Sequence, residues 1–184
     1  MDQCCGPESC CVNRSSMMEC DLDDSGPAGT HRCRNRRLQQ REYAPIHVIQ
    51  TRKKGYGLVS SAPLDADALV MEYVGEVIPY EIFMRRTREY AESGETHFYF
   101  MALVNGEYID ALRRGNLARF MNHSCDPNCV LQKWIIGKSN RMGIFTKRPI
   151  APGEELTFDY RFQRYGDKAQ PCYCGSHNCS GFIG

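Results

Sequence analysis

Long apolar runs are missing from these 184 residues. No stretch approaches the roughly 18 to 20 consecutive apolar residues of a membrane-spanning helix, so no membrane partner is expected. The N-terminus is polar and cysteine-rich, not a basic start followed by an apolar run, and no secretory signal is read there. Neither sign of charge dominates: 23 basic residues stand against 22 acidic ones, for a formal net charge of +1. That balance argues against a strong general attraction for nucleic acid. Repeats and low-complexity segments are absent as well, and helical periodicity is scarce. The length fits one domain with small appendages, burying roughly 70% of its unfolded surface without staples.

Cysteine is the surplus. There are 11, an odd number that full disulfide pairing cannot use. Metal-bound thiolates in a reducing compartment explain them better than a secreted disulfide scaffold. Cys4, Cys5, Cys10, Cys11, Cys20 and Cys33 fall within residues 1–37, a block poor in aliphatics that metal is expected to fold. Two zincs sharing a thiolate would need a seventh ligand there, for which His31 is available; one zinc with spare thiols is the alternative. Cys172-x-Cys174-x4-Cys179 lacks a fourth ligand, and Cys125 is the natural candidate. Four thiolates leave no open position for water, so that zinc would be structural. Cys129 belongs to neither group and reads as a small buried side chain.

Strand signals outnumber helical ones, which makes the fold class mainly β with few short helices. Ile46–Gln50 alternates as a short strand, and residues 53–58 read as a glycine-punctuated turn. Residues 69–78, rich in β-branched and aromatic side chains, read as one strand. Residues 80–93 carry the only long helical pattern, with Ile82, Phe83, Tyr90 and Ala91 as its apolar positions and Gly94 as its stop. Asn105-Gly106 is the strongest turn signal and sets a hairpin between residues 97–103 and 107–112. A short helix over 116–121, strands at 129–136 and 141–145, and a Pro152-Gly153 turn into 156–160 complete the pattern.

Chemistry concentrates in Arg119-Phe120-Met121-Asn122-His123-Ser124-Cys125 and in Glu155-Leu156-Thr157-Phe158-Asp159-Tyr160. Asn122 and His123 are polar residues in an apolar context and need partners if buried. Taken singly, Tyr99, Phe158 and Tyr160 read as core aromatics. A second segment interlocked with the Asn-His motif would change that.

These two segments, with Lys54-Gly55-Tyr56-Gly57, Glu72-Tyr73-x-Gly75-Glu76 and the cysteine tail, resemble the SET-domain protein-lysine methyltransferases. The cysteine-rich start, Tyr99-Phe100-Met101-Ala102-Leu103 and Phe162-Gln163-Arg164-Tyr165-Gly166 are most similar to the branch acting on histone H3 lysine 36. The resemblance implies small curved sheets around a C-terminal pseudoknot, with zinc-stapled blocks at both ends. It implies an AWS-type pre-SET block over 1–42, a catalytic domain over 43–161, an autoinhibitory-type linker over 162–171 and a post-SET zinc segment over 172–184. S-adenosylmethionine would be the cofactor, held by Lys54, Gly55, Tyr56, Phe98, Arg119, Asn122, His123, Tyr160 and Gln170. Tyr99 and Tyr160 fall at the positions lining a lysine channel, Phe158 at the one governing how many methyl groups fit, and Arg164 at a gating position. The implied partner is the histone H3 tail in nucleosomes, in the nucleus on chromosomes, with the chain a monomer. The basic run 32–41 suits contact with a DNA backbone or, equally, a solvated face. The N-terminal block departs from the family pattern: Gly26 stands where a cysteine precedes Pro27-Ala28-Gly29, and residues 21–25 are extra. One zinc on Cys5, Cys20 and Cys33 with Cys11 or His31 is therefore expected there, with two zincs as the alternative. Methylation of another histone or non-histone lysine, or a catalytically silent chromatin-binding module, are the other readings of the whole.

Overall fold

The computed structural model describes residues 5–6, 9–20, 33–95, 99–161 and 170–183. In chain order the elements are a single-turn helix α1 (Val12–Ser15), then β1 (Ile46–Gln50), β2 (Tyr56–Ser60), β3 (Leu69–Tyr73), β4 (Glu76–Pro79) and the helix α2 (Tyr80–Glu92). Strands β5 (Phe100–Ala102) and β6 (Glu107–Asp110) follow, then a 3-10 turn at Leu117–Phe120 and β7 (Asn122–His123). The chain continues through β8 (Cys129–Ile136), β9 (Ser139–Thr146), β10 (Glu155–Phe158), β11 (Gln170–Pro171) and β12 (Phe182–Ile183). The mainly β expectation is met.

Among the described residues four small sheets form, in the orders β1-β2-β10-β7, β3-β9-β8, β4-β6-β5 and β11-β12. In the first sheet β10 pairs antiparallel with β2 and parallel with β7, matching Thr157 to Asn122 and Phe158 to His123. A parallel pair cannot be closed by a tight turn. Two segments distant in sequence are thereby laid side by side, and the Asn-His motif meets the Phe-Asp-Tyr segment as the sequence suggested.

Three local expectations need correction. Residues 53–58 are not all turn: the turn ends at Gly55, whose φ is +71°, and Tyr56 already begins β2. Residues 69–78 do not form one strand. β3 pairs with β9 whereas β4 pairs with β6, and the break falls at Gly75. A Cβ there would lie 2.4 Å from the Asp110 carbonyl oxygen, so only glycine lets the chain cross between sheets at that point. On α2, Phe83 and Tyr90 are buried as expected, but Ala91 is exposed. One residue turns a helix by 100°, enough to carry Ala91 off the face that Phe83, Arg86 and Tyr90 share. The hairpin is as read, with Asn105 and Gly106 at φ values of +58° and +75°.

The main core joins Leu58, Val70, Ile144 and Leu156, all fully buried, with Tyr73, Met121 and Phe158 on its rim toward the site. A second, smaller core of Leu38, Leu69, Trp134 and Phe145 lies where the N-terminal block docks. That docking is hydrogen-bonded as well as apolar. Met18 bridges to Ile135 beside β8, and the Glu19 carboxylate accepts from the backbone N–H groups of Leu38 and Gln39 at 2.6 and 3.0 Å.

Candidate active site

The turn before β2 aims the first group of candidate residues. Thr51 Oγ1 accepts from the Lys54 N–H at 2.9 Å and donates to the Gly55 carbonyl at 2.9 Å, which fixes the loop. Lys54 Nζ then reaches Glu155 Oε2 at 2.6 Å, across to β10. The other oxygen of that carboxylate, Oε1, accepts from Asn122 Nδ2 at 2.9 Å, and the same nitrogen donates to the Tyr56 carbonyl at 2.9 Å. Lys54, Gly55, Tyr56 and Asn122 are thus brought together, with Glu155 at their centre. Glu155 was not among the sequence candidates. Its one signal was its place at the head of the Glu155-Leu156-Thr157-Phe158-Asp159-Tyr160 segment.

Tyr56 leaves 58% of its surface exposed and meets the Phe120 ring edge-on at 5.7 Å. Arg119 lies beside them, its guanidinium carbon 4.5 Å from the Tyr99 ring centre and 5.3 Å from that of Phe120. Its Nε is buried and has no hydrogen-bond partner among the described residues. An orphaned donor, an exposed aromatic face and an anchored amide next to a lysine suit a ligand with both a ring system and a charged amino-acid end, as S-adenosylmethionine has.

Beyond Arg119 the walls turn aromatic. The Tyr160 ring centre is 5.0 Å from that of Phe158 and 5.4 Å from that of His123. Although Tyr160 exposes 37% of its surface, its hydroxyl points inward and donates to the Met121 carbonyl at 2.9 Å. Burial, reinforced by the nearby Tyr99, pushes this phenol above its ordinary range. Tyr73, 5% exposed, donates to the Tyr99 carbonyl at 3.1 Å, and burial beside Tyr160 raises its phenol too. Both therefore stay protonated donors. Tyr73, which the sequence places in a strand and in the Glu72-Tyr73-x-Gly75-Glu76 motif without a role of its own, thus joins this wall. His123 is bound into the same wall, its Nδ1 accepting from the Tyr160 N–H at 3.2 Å. Burial lowers its pKa against the opposing pull of Asp159. Phe98, Arg164 and His31 lie outside the described residues.

The tail closes against these elements. Cys125, Cys172, Cys174 and Cys179 place their sulfurs within 4.8 Å of one another. Cys125 Sγ is 3.9 Å from that of Cys172 and 4.0 Å from that of Cys179. Tetrahedral zinc with Zn–S bonds of about 2.3 Å sets its sulfurs about 3.8 Å apart, so the four thiols fit that ion closely. Burial raises the Cys174 thiol, but hydrogen bonds led by the Cys125 N–H outweigh it and bring the pKa down to about 5, a ready thiolate. Gln170 pairs with Ile183 in β11-β12, and Lys53 Nζ sits 5.3 Å from the Tyr173 ring centre, setting the tail beside the Lys54 turn.

At the other end Cys5, Cys20 and Cys33 form a second cluster within 4.8 Å. Cys11 is 3.9 Å from Cys20 without belonging to that set of three, so Cys20 faces thiols on two sides. Of the basic run, Arg36 is buried and donates to the Cys20 carbonyl, while Arg37 pairs with Asp67 and covers the Phe145 ring at 4.7 Å. Neither faces solvent as a simple charged stripe would.

The SET domain family model matches residues 55–161, and the AWS domain model matches residues 2–41. An H3 lysine-36 specific histone-lysine N-methyltransferase of Schizosaccharomyces pombe is 54% identical over 182 residues, covering 98% of this chain and 22% of that protein. Proteins of the same description are 51% identical in Cryptococcus neoformans var. neoformans serotype D (180 residues, 98% of this chain, 21% of the relative). In Aspergillus oryzae the figures are 53% over 181 residues, 98% and 18%. The chain spans about a fifth of the length of these relatives.

Proposed function

Since the chain belongs to the SET-domain family, we propose that it transfers methyl groups from S-adenosylmethionine to a protein lysine, and that the lysine is H3 lysine 36 in nucleosomes. The observation that carries this is the continuity of two half-sites. The Lys54–Glu155–Asn122 cluster adjoins the wall of Tyr73, Tyr99, Phe158 and Tyr160 through Arg119 and Met121. The specificity is that of the relatives' names, and acting on chromatin would place the chain in the nucleus.

When bound, S-adenosylmethionine supplies an electrophilic methyl group on a sulfonium. Lys54 and Asn122 would hold its amino-acid end, with Tyr56, Arg119 and His123 around the remainder and Gln170 closing the tail over it. The chain's remaining task is to deliver an aligned, neutral amine. A lysine ammonium titrates near 10.4 in water. Among buried rings it loses hydration, which favours the uncharged form. The hydroxyls of Tyr73 and Tyr160, each spending its proton on a carbonyl, keep lone pairs that can accept from the amine and orient it. Phe158 offers no hydroxyl to hold a water, leaving room for second and third methylations.

The post-SET thiols would hold one structural zinc, and Cys5, Cys20 and Cys33, with Cys11 beside Cys20, one or two more. The chain would act as a monomer. Any contact with nucleosomal DNA from the basic run would fall to residues other than Arg36 and Arg37. Arg164 is proposed to gate the lysine channel, so Arg164→Gly should raise activity on free H3 peptide relative to nucleosomes; an unchanged ratio argues for a passive linker.

The test is incubation with labelled cofactor and recombinant nucleosomes carrying single H3 lysine substitutions. Incorporation should vanish when lysine 36 is replaced. Label that persists there overturns the substrate, and no incorporation on any nucleosome by a folded, zinc-loaded chain favours the silent binding module.

A further inference from the structure

Asn122 has one side-chain nitrogen and one oxygen, and the structure decides which faces where. Nδ2 donates to the Tyr56 carbonyl and to Glu155 Oε1, both at 2.9 Å. A peptide oxygen and an ionised carboxylate can only accept. Rotating the amide by half a turn would set Oδ1 against both and forfeit two hydrogen bonds, so the orientation is locked. Oδ1 is left on the opposite side and accepts nothing from the described residues. Gly57 shows how tightly the lock is built. A Cβ at that position would come within 2.9 Å of Glu155 Oε1 and 3.1 Å of Asn122 Nδ2.

We propose that Glu155 is a positioning residue for the cofactor: its carboxylate fixes the Asn122 amide so that Oδ1 is presented to the ammonium group at the amino-acid end of S-adenosylmethionine. This rests on the cofactor pocket proposed above. Oδ1 is an acceptor, matched to an ammonium and mismatched to the carboxylate of the same ligand. Lys54, held by the second carboxylate oxygen at 2.6 Å, is the donor beside it. One buried-edge carboxylate thus sets both members of a donor–acceptor pair suited to a zwitterion.

Calorimetry with S-adenosylhomocysteine and its analogue lacking the α-amino group tests this on the whole chain. Glu155→Ala should bind S-adenosylhomocysteine about tenfold more weakly than the parent, the scale of one charge-assisted hydrogen bond. On the desamino analogue the loss should be clearly smaller, because the group that Asn122 receives is gone and only the Lys54 contact with the remaining carboxylate is disturbed. Glu155→Gln, which restores an acceptor for Nδ2, should recover most of the loss. Gly57→Ala, which wedges the pair apart without altering either residue, should reproduce the Glu155→Ala pattern. Equal losses on both ligands would mean a general structural role and overturn the proposal, as would a Glu155→Gln protein as weak as Glu155→Ala, or no loss at all. A parent chain that binds neither ligand would instead overturn the pocket itself.

Discussion

Phe158 is 6% exposed, with its ring centre 5.0 Å from that of Tyr160. A hydroxyl added there joins the aromatic wall that Phe158 shares with Tyr160, where on the proposed function it would hold a water against the amine. Phe158→Tyr is therefore expected to stop at the monomethyl product, read by mass spectrometry of the H3 peptide; an unchanged product distribution removes Phe158 from that role. Tyr73 makes the complementary case. Its hydroxyl bond to the Tyr99 carbonyl contributes about 1 kcal/mol net, so Tyr73→Phe should lower Tm by only about 2–4 °C in a chain of this size. The same bond sets where Tyr99 stands over Arg119. Turnover should fall by about tenfold, equivalent to about 1.4 kcal/mol of barrier, with KM for the cofactor unchanged. Turnover that falls no further than stability would mark Tyr73 as a core residue only.

At the scale of elements, α2 is held to its sheet by two carboxylates: Glu76 of β4, which accepts from Arg86 Nη1 at 2.9 Å, and Asp110 of β6. Asp110, 1% exposed, accepts from Arg86 Nη1 at 2.7 Å, the Tyr90 hydroxyl at 2.8 Å and the Leu112 N–H at 3.0 Å. Asp110→Ala strands the Tyr90 phenol and leaves Arg86 with Glu76 alone, and should cost about 1–3 kcal/mol by denaturant midpoint. Arg85→Ala breaks only the exposed pair with Glu89 and should stay within about 0.5 kcal/mol. Comparable losses in the two variants would mean the helix is held by its apolar face alone. Elements of this kind divide by how far their causes reach. Asn105-Gly106 could be read as a hairpin because the turn chemistry is contained in two adjacent residues. The break between β3 and β4 could not, because the group that forbids a side chain at Gly75 is the carbonyl of Asp110. Glu155 was hidden for the same reason: its partners Lys54 and Asn122 are 101 and 33 positions away. Cys125 was legible across a comparable gap because a three-thiol tail announces a missing fourth ligand, whereas a glutamate announces nothing about what it will bind.

Across the whole molecule, the two thiol clusters secure different halves of the work, and the single tryptophan can tell them apart. Trp134 is 4% exposed in the small core with Leu38, and Arg37 lies 5.9 Å above its ring centre. Leu38 and Arg37 belong to the N-terminal block, whose position depends on Glu19 and on the neighbouring thiol cluster around Cys20. A zinc held there, as proposed, would contribute folding free energy to the block, and Cys20→Ser would remove it. Cys20→Ser should therefore uncover Trp134, shift its emission to the red and lower Tm. The C-terminal cluster begins at Cys125, two residues after His123, and its tail rests on the Lys53 turn. Cys174→Ser should lose one zinc per chain and most of its affinity for S-adenosylhomocysteine while leaving Trp134 emission unchanged. Emission, metal content and ligand affinity measured on both variants form a crossed test. A red shift in Cys174→Ser would show that the clusters hold one cooperative unit instead of two separable ones. Unchanged emission in a Cys20→Ser chain depleted of its N-terminal metal would show that the apolar contact of Leu38 with Trp134 suffices to dock the block without it.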